Sequence, residues 1–242
     1  MTLVGAGAND PDYVRRQYAS EQGLAARKAL YDDVDGPDAR ELVFQAVAEA
    51  NPSRVLEVGC GAGELAARLA IELGVEVVAV DQSARMVALA RERGVDARVA
   101  DVQDLPFEDA AFDAAVAAWM LYHVPDLDRG IAELARVLRP GGRLVAATNH
   151  PDHLHEMFAL AGLDGWALPF DGANGSVALG RTFEDVEQRD ADGTVTVRDA
   201  NAIRAYFASS ERLGEHCGEV PELDRPLVVR RRPVVFVADH PR

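Results

Sequence analysis

The stretch 55–64, VLEVGCGAGE, limits what this chain can fold into more than any other part of it. Val55, Leu56 and Val58 lead into Gly59, Gly61 and Gly63, and helix-forming residues begin at Glu64. An apolar strand that turns through closely spaced glycines into a helix starts a βαβ unit, the building block of parallel sheets. The same rhythm continues downstream. VEVVAV (75–80) reads as a second strand closed by Asp81, and Ser83 can cap a helix over 84–93 that stops at Gly94. DARVA (96–100) ends at Asp101, and FDAAVAA (112–118) is a fourth strand. Leu127, Ile131, Leu134 and Leu138 mark one face of a helix, and RPGG (139–142) reads as a tight turn into a fifth strand, RLVAAT. Upstream, residues 10–31 pattern as an amphipathic helix carrying Tyr13, Tyr18, Leu24 and Leu30, and DGPD (35–38) opens a helix that runs to Ala50. With 242 residues, the chain can bury the core of one such α/β domain. Beyond residue 150 the rhythm changes. A short helix follows NHPDHLHE, 162–180 reads as glycine-rich loop, FEDVEQRD and TVTVR flank an Asp-Gly turn signal, 199–208 reads as helix and 234–239 as the last strand.

In doubly wound sheets ligands bind outside the carboxyl ends of the strands, and the distinctive residues of this chain gather there. Two ligands compete for the glycine loop. A dinucleotide asks for Gly-x-Gly-x-x-Gly with pyrophosphate on the helix N-terminus. Here the third fingerprint position is Glu64, whose carboxylate would oppose a pyrophosphate, and Glu57 adds a second negative charge. S-adenosylmethionine, with its ammonium and positive sulfur, suits the loop better, and Glu57 can serve that ammonium. Asp81 closes the second strand where an acid can accept both ribose hydroxyls. Asp101 can accept from an adenine amino group beside the Val102 amide, or can simply form a turn.

Taken together, VLEVGCGAG, VVAVDQS, VADVQDLPFEDAAFDAAVAAWMLYHVPD and ELARVLRPGG closely resemble the class I S-adenosylmethionine-dependent methyltransferases, in the small-molecule branch that includes the quinone-biosynthesis C-methyltransferases (methyltransferase type 11). The resemblance covers roughly residues 40–150. It implies a Rossmann-like, doubly wound seven-stranded sheet, mostly parallel with an antiparallel last strand. It implies that Glu57, Gly59, Cys60 and Gly61 line the methionine moiety, that Asp81, Gln82 and Met86 meet the adenosine, that Asp101 and Val102 hold adenine, and that Ala118 and Trp119 lie beside the sulfonium. Relatives often carry Asn or Ser at the positions of Ala117 and Ala118, so a polar contact there passes to the backbone. The N-terminal helices look like the family's lid, with Tyr13, Tyr18 and Arg27 placed to close over the cofactor. The chain then divides into a lid (1–37), a cofactor-binding core (38–150), a substrate-side insertion (151–205) and a C-terminal strand region (206–242).

The remaining composition narrows the partners. A net charge of -15 argues against nucleic acid, whose binders present basic faces. Two cysteines suit a reducing cytoplasm, no apolar run approaches a membrane span, and the first residues lack the features of a secretory signal. The histidines His123, His150, His153 and His155 invite a metal reading, but HPDHLH has no carboxylate or cysteine at ligand spacing, so no metal is expected. Cys60 has nothing basic beside it and reads as a small loop residue, not a nucleophile. Tyr13, Tyr122, Trp166 and Phe170 offer flat apolar surface and Asn149 and His150 offer polar groups, the mix that a small-molecule pocket needs. The expectation is methyl transfer to oxygen, nitrogen or carbon of a small acceptor, aromatic or polyketide-like, with His123 or His153 as base if a proton must leave. The alternatives are a cofactor-binding protein that does not methylate, pericyclase-like or regulatory, and an NAD-dependent oxidoreductase, which Glu64 disfavours.

Overall fold

The computed structural model describes residues 3–4, 8–17, 27, 29–31 and 33–241. Seven strands form the central sheet: β1 (Arg54–Val58), β2 (Glu76–Asp81), β3 (Asp96–Val99), β4 (Phe112–Ala118), β5 (Leu138–Asn149), β6 (Phe183–Asp190) and β7 (Pro233–Pro241). Their order is β3-β2-β1-β4-β5-β7-β6. β1 to β5 run parallel, while β7 pairs antiparallel with both β5 and β6. This is the doubly wound sheet with an antiparallel last strand that the sequence implied.

Period-two burial explains the layers. Leu56, Val58, Val78, Val80, Ala115, Ala117, Leu144 and Phe236 face one side and pack on Ile131 and Leu134 of helix α4 (Leu127–Val137). Their neighbours Val55, Val77, Ala79, Ala114, Val116, Val145 and Val235 face the other side. There they meet α1 (Ala39–Glu49), α2 (Glu64–Leu73) and α3 (Ala84–Glu92). Local chemistry sets the helix starts. Asp38 accepts from the Arg40 N–H at 2.9 Å, Ser83 from Met86 at 3.3 Å and Asp126 from Arg129 at 3.1 Å.

A second, smaller core gathers on the segments outside that sheet. Val34–Asp35, Gly193–Val197 and Leu227–Arg231 form a three-stranded antiparallel sheet with Gly193–Val197 at its centre. It packs with α5 (Ala200–Ala208) and with Leu154, Phe158 and Phe207.

Four expectations need correction. The segments on either side of Asp192-Gly193 are not a hairpin, because β6 pairs with β7 while Gly193–Val197 joins the small sheet. RPGG lies inside β5, where the register against β4 shifts between Phe112 and Ala114, so it is an irregularity in one strand and not a turn before it. The 162–180 region contains a helix, Gly175–Leu179, and a two-residue strand, Trp166–Ala167, parallel to Leu3–Val4. Phe170 does not offer surface to a ligand. It is fully buried, edge-to-face on Phe236 at 5.6 Å, and its carbonyl accepts from the Thr148 hydroxyl. The amphipathic helix expected over 10–31 is described over Pro11–Gln17, and Tyr18 and Leu24 lie outside the described residues.

Phe236 joins β7 to the Gly175–Leu179 helix, where a side chain at Gly175 would collide with its ring. Phe236→Ala is expected to lower stability by about 3–5 kcal/mol, read from the urea unfolding midpoint at unchanged slope.

Candidate functional site

A cleft of about 1200 Å³ opens over the carboxyl ends of β1, β2 and β4. One wall is the sheet and its loops, and the other comes from the small core and the described N-terminal residues. The volume exceeds the 300–1,000 Å³ typical of a single small-ligand site.

The glycine loop forms the floor. Cys60 N–H donates to the Val80 carbonyl at 3.1 Å and Gly63 N–H to the Cys60 carbonyl at 2.9 Å, which closes the turn. Gly59, Gly61 and Gly63 all have positive φ, at 65°, 52° and 77°. They are glycine for different reasons. A Cβ on Gly59 would sit 2.7 Å from Met120 and one on Gly63 2.7 Å from Ala90, whereas one on Gly61 would meet nothing within 4 Å. Gly61 therefore leaves its backbone bare toward open space. Cys60 is buried, and burial pushes its thiol further up, so it is inert as a nucleophile.

Two carboxyls stand beside this loop. Asp81 accepts the Gly61 N–H at 2.9 Å on Oδ2 and the Ser83 N–H at 2.8 Å on Oδ1. Burial raises it above the usual aspartate range. Glu57 is 4% exposed, and its carboxyl is met by the Ala66 N–H. Its Oε2 is the one buried side-chain polar atom among the described residues without a partner. Burial first, and then the Asp81 charge, push Glu57 up to about 8. A buried oxygen left without a donor calls for a ligand to supply one.

Gln82, Met86, Val102, Ala118, Trp119, Tyr122, Asn149 and His150 also line the cleft. Trp119 follows β4 with φ of 54°, a strained conformation for a bulky residue, and its indole N–H donates to Asn149 Oδ1 at 3.4 Å. Asp101 does not line the cleft. Its carboxylate takes the Gln103 backbone N–H at 2.9 Å and the Gln103 side-chain amide at 3.1 Å, the turn-forming role. His150 Nε2 reaches Asp190 at 3.1 Å. The Trp166 side chain lies outside the described residues.

The two candidate bases differ. His123 donates its Nδ1–H to the Ala8 carbonyl at 2.7 Å, and burial depresses it to about 4. Its ring borders the cleft against Tyr122. His153 accepts the Arg232 backbone N–H on Nδ1 at 2.8 Å, so its proton is on Nε2, which donates to Tyr31 Oη at 2.9 Å. Both nitrogens of His153 are spent, and burial takes it down to about 3, so it cannot receive a proton from a substrate. That corrects its assignment as a base. Of the lid residues, Tyr13 pairs with the Ser210 hydroxyl at 3.2 Å and Arg27 donates to the Ser209 hydroxyl and carbonyl, each at 3.0 Å. Tyr31, Tyr206 and Arg231 complete the far wall and went unnoticed in the sequence, where Arg231 shows only as one of three consecutive arginines.

Residues 56–146 match a family model described as a methyltransferase domain. The match covers the segment from β1 to β5 and agrees with the resemblance read from its motifs. The chain is 44% identical over 99 residues to the 27-O-demethylrifamycin SV methyltransferase of Amycolatopsis mediterranei, a match covering 38% of this chain and 36% of that protein. It is 44% identical over 103 residues to a ubiquinone biosynthesis O-methyltransferase of Xanthomonas oryzae pv. oryzae, covering 40% and 43%. The chain thus matches less than half the length of these relatives. In fold it is similar to the crystal structure of the [4+2]-cyclase SpnF, with a TM-score of 0.64 at 21% identity over 96% of both chains. The residues present suit S-adenosylmethionine: the orphaned Glu57 oxygen for an ammonium, the bare Gly61 backbone for close approach, and the Asp81 carboxylate at the end of β2. Among the described residues, no cluster of His, Cys, Asp and Glu could hold a metal, and no helix is long and apolar enough to cross a membrane.

Gly61→Val is expected to abolish binding of S-adenosylhomocysteine in calorimetry while the far-UV circular dichroism stays native, since a β-branched side chain fills the bare space and resists φ of 52°. Asp81→Ala should weaken the same binding by about 1.5–3 kcal/mol, the cost of losing a charged hydrogen-bond partner. Unchanged affinity would remove Asp81 from the site.

Proposed function

We propose that this protein transfers the methyl group of S-adenosylmethionine to an oxygen, nitrogen or carbon of a small-molecule acceptor. The observation that carries the proposal is Glu57: a buried carboxyl at the head of the glycine loop with an oxygen that lacks a donor. In this reading Glu57, Gly59, Cys60 and Gly61 hold the methionine part, Asp81, Gln82 and Met86 the adenosine, and Ala118 and Trp119 flank the sulfonium. Bound, the cofactor supplies an already activated methyl group, so the protein's task is to hold the acceptor in line and keep water out. Trp119, Tyr122, Tyr31 and Tyr206 give the cleft apolar walls for an aromatic or polyketide-like acceptor. The described part of 1–37 serves as lid, and His153, Phe158 and Leu168 of 151–205 join Tyr206 and Arg231 in the acceptor wall. His123 stays neutral at every working pH because burial holds it near 4. So weak a base suits orienting an acceptor's proton more than carrying it away.

The deciding assay is release of S-adenosylhomocysteine with a panel of hydroxylated aromatic and polyketide-like compounds. Tight cofactor binding with no release on any acceptor would favour a protein that binds the cofactor without spending it.

Two further outcomes are expected. At pH 7 the free Glu57 carboxyl, at about 8, holds its proton, and a ligand ammonium favours the carboxylate. Binding below that value should therefore release close to one proton, fading to none about a unit above it. Calorimetry in buffers of different ionisation enthalpy reads this directly, and Glu57→Gln should abolish it. His123→Ala should lower kcat without adding or removing an inflection between about pH 5 and 8, because the imidazole does not titrate there. A loss of only a few-fold at every pH would mean that catalysis is alignment alone.

A further inference from the structure

We propose that the acceptor carries a carboxylate and that Arg231, on the wall of the cleft formed by the small three-stranded sheet, binds it. This rests on the methyl-transfer reading above and names the chemistry of its acceptor.

Arg231 is 6% exposed. Its Nε donates to the Thr194 carbonyl at 3.3 Å, and Nη2 donates to the Asp35 carbonyl at 3.2 Å and the Pro37 carbonyl at 3.0 Å. These bonds satisfy three hydrogens but leave the charge opposite neutral dipoles. Among the described residues no carboxylate forms an ion pair with Arg231 and nothing accepts from Nη1. Asp38 lines the same cleft, but it is taken by Arg40 at 3.1 Å and by the start of α1. Nη1 is not sealed in protein either, since the one buried side-chain atom without a partner is Glu57 Oε2. Arg231 borders the cleft, the space a ligand would occupy. A guanidinium buried to this degree without an anion is costly, and an anionic ligand removes the cost.

The neighbours fit an acidic ligand. The peptide that follows Arg231 gives its N–H to His153 Nδ1, which fixes the imidazole with its proton toward Tyr31 Oη. Tyr31 receives that proton as acceptor, so its own O–H is left to donate into the cleft it borders. His153 and Tyr31 are both kept neutral by burial, and both feel the Arg231 charge. This part of the cleft therefore presents the Arg231 guanidinium and one hydroxyl donor, with Arg27 adding positive charge and the carboxylate that feels Arg231, Asp38, paired with Arg40. Glu57 and Asp81 belong to the sheet-side wall, and Arg231 is not among the charges that act on them. A zwitterionic cofactor fragment and an acidic acceptor are thus drawn to different walls by charge, which also orients the acceptor.

The test uses the full chain saturated with S-adenosylhomocysteine, whose own binding is measured first and separately. Hydroxylated aromatic and polyketide-like carboxylic acids are each titrated beside their primary amides, which keep the shape and lose the charge. At least one acid is expected to outbind its amide by roughly tenfold or more, the worth of one charged hydrogen bond. In Arg231→Gln that preference should vanish while S-adenosylhomocysteine binding stays within about twofold. If no acid outbinds its amide, the proposal fails, whether or not the cofactor binds. If S-adenosylhomocysteine itself does not bind, the methyl-transfer reading fails instead. Should Arg231→Gln unfold through loss of its carbonyl contacts, Tyr31→Phe serves as the second variant. It removes the hydroxyl donor and should weaken the preferred acid by a few-fold with its amide less affected, and equal effects on acid and amide would overturn the assignment.

Discussion

The Asp81 carboxylate is the interaction on which the site depends. One oxygen takes the Gly61 amide from the loop after β1 and the other takes the Ser83 amide at the start of α3. The glycine loop, 20 residues earlier in the chain, is thereby fixed to the turn between β2 and α3 through one side chain at a strand end. The glycine loop could not hold its run of positive φ angles by its own bonds, because its glycines have many alternatives in the unfolded chain. Asp81 and the Cys60 amide, bonded back to Val80, restrict it to one shape. The same buried carboxylate also bears on Glu57 and helps to keep it protonated while no cation is present. The loop's geometry and the carboxyl that would meet a ligand are coupled through one residue.

The cleft owes its character to what is missing from its walls. Burial holds both candidate imidazoles neutral, with His123 near 4 and His153 near 3. It holds Tyr31 protonated as well. Desolvation is the first cause in each case, so the same dryness that weakens these groups as bases strengthens every dipole that points into the space. A reaction that needs alignment and exclusion of water more than proton transfer is matched to such a lining. Strain at Trp119 belongs to the same economy of design: a bulky residue held at φ of 54° turns the chain sharply at the end of β4 and keeps its ring over the cleft.

Much of the central sheet was legible in the sequence because parallel, fully covered strands are apolar on both faces and their helices begin at recognisable caps. The helix over 64–73 and the strand over 112–118 coincide with the expectation. The Asp-Gly signal at 192–193 failed for an instructive reason. Gly193 is glycine because a side chain would collide with the Asp35 carbonyl of the adjoining strand, and the requirement is one of packing, not of turn formation. Phe170 failed similarly: an aromatic in a polar, glycine-rich stretch looks exposed until Phe236, far along the chain, buries it.

The sequence by itself determined the doubly wound sheet, the glycine loop and the acids Glu57 and Asp81, because each depends on residues adjacent in the chain and on periodicities of two and 3.6. Only the tertiary structure decided the far wall. Tyr31, His153, Tyr206 and Arg231 come from four separate segments, and which nitrogen of His153 carries the proton depends on a backbone amide 79 residues away. Contacts of that range leave no local pattern, since a side chain's partner across the core is fixed by how the elements pack and not by the residues beside it.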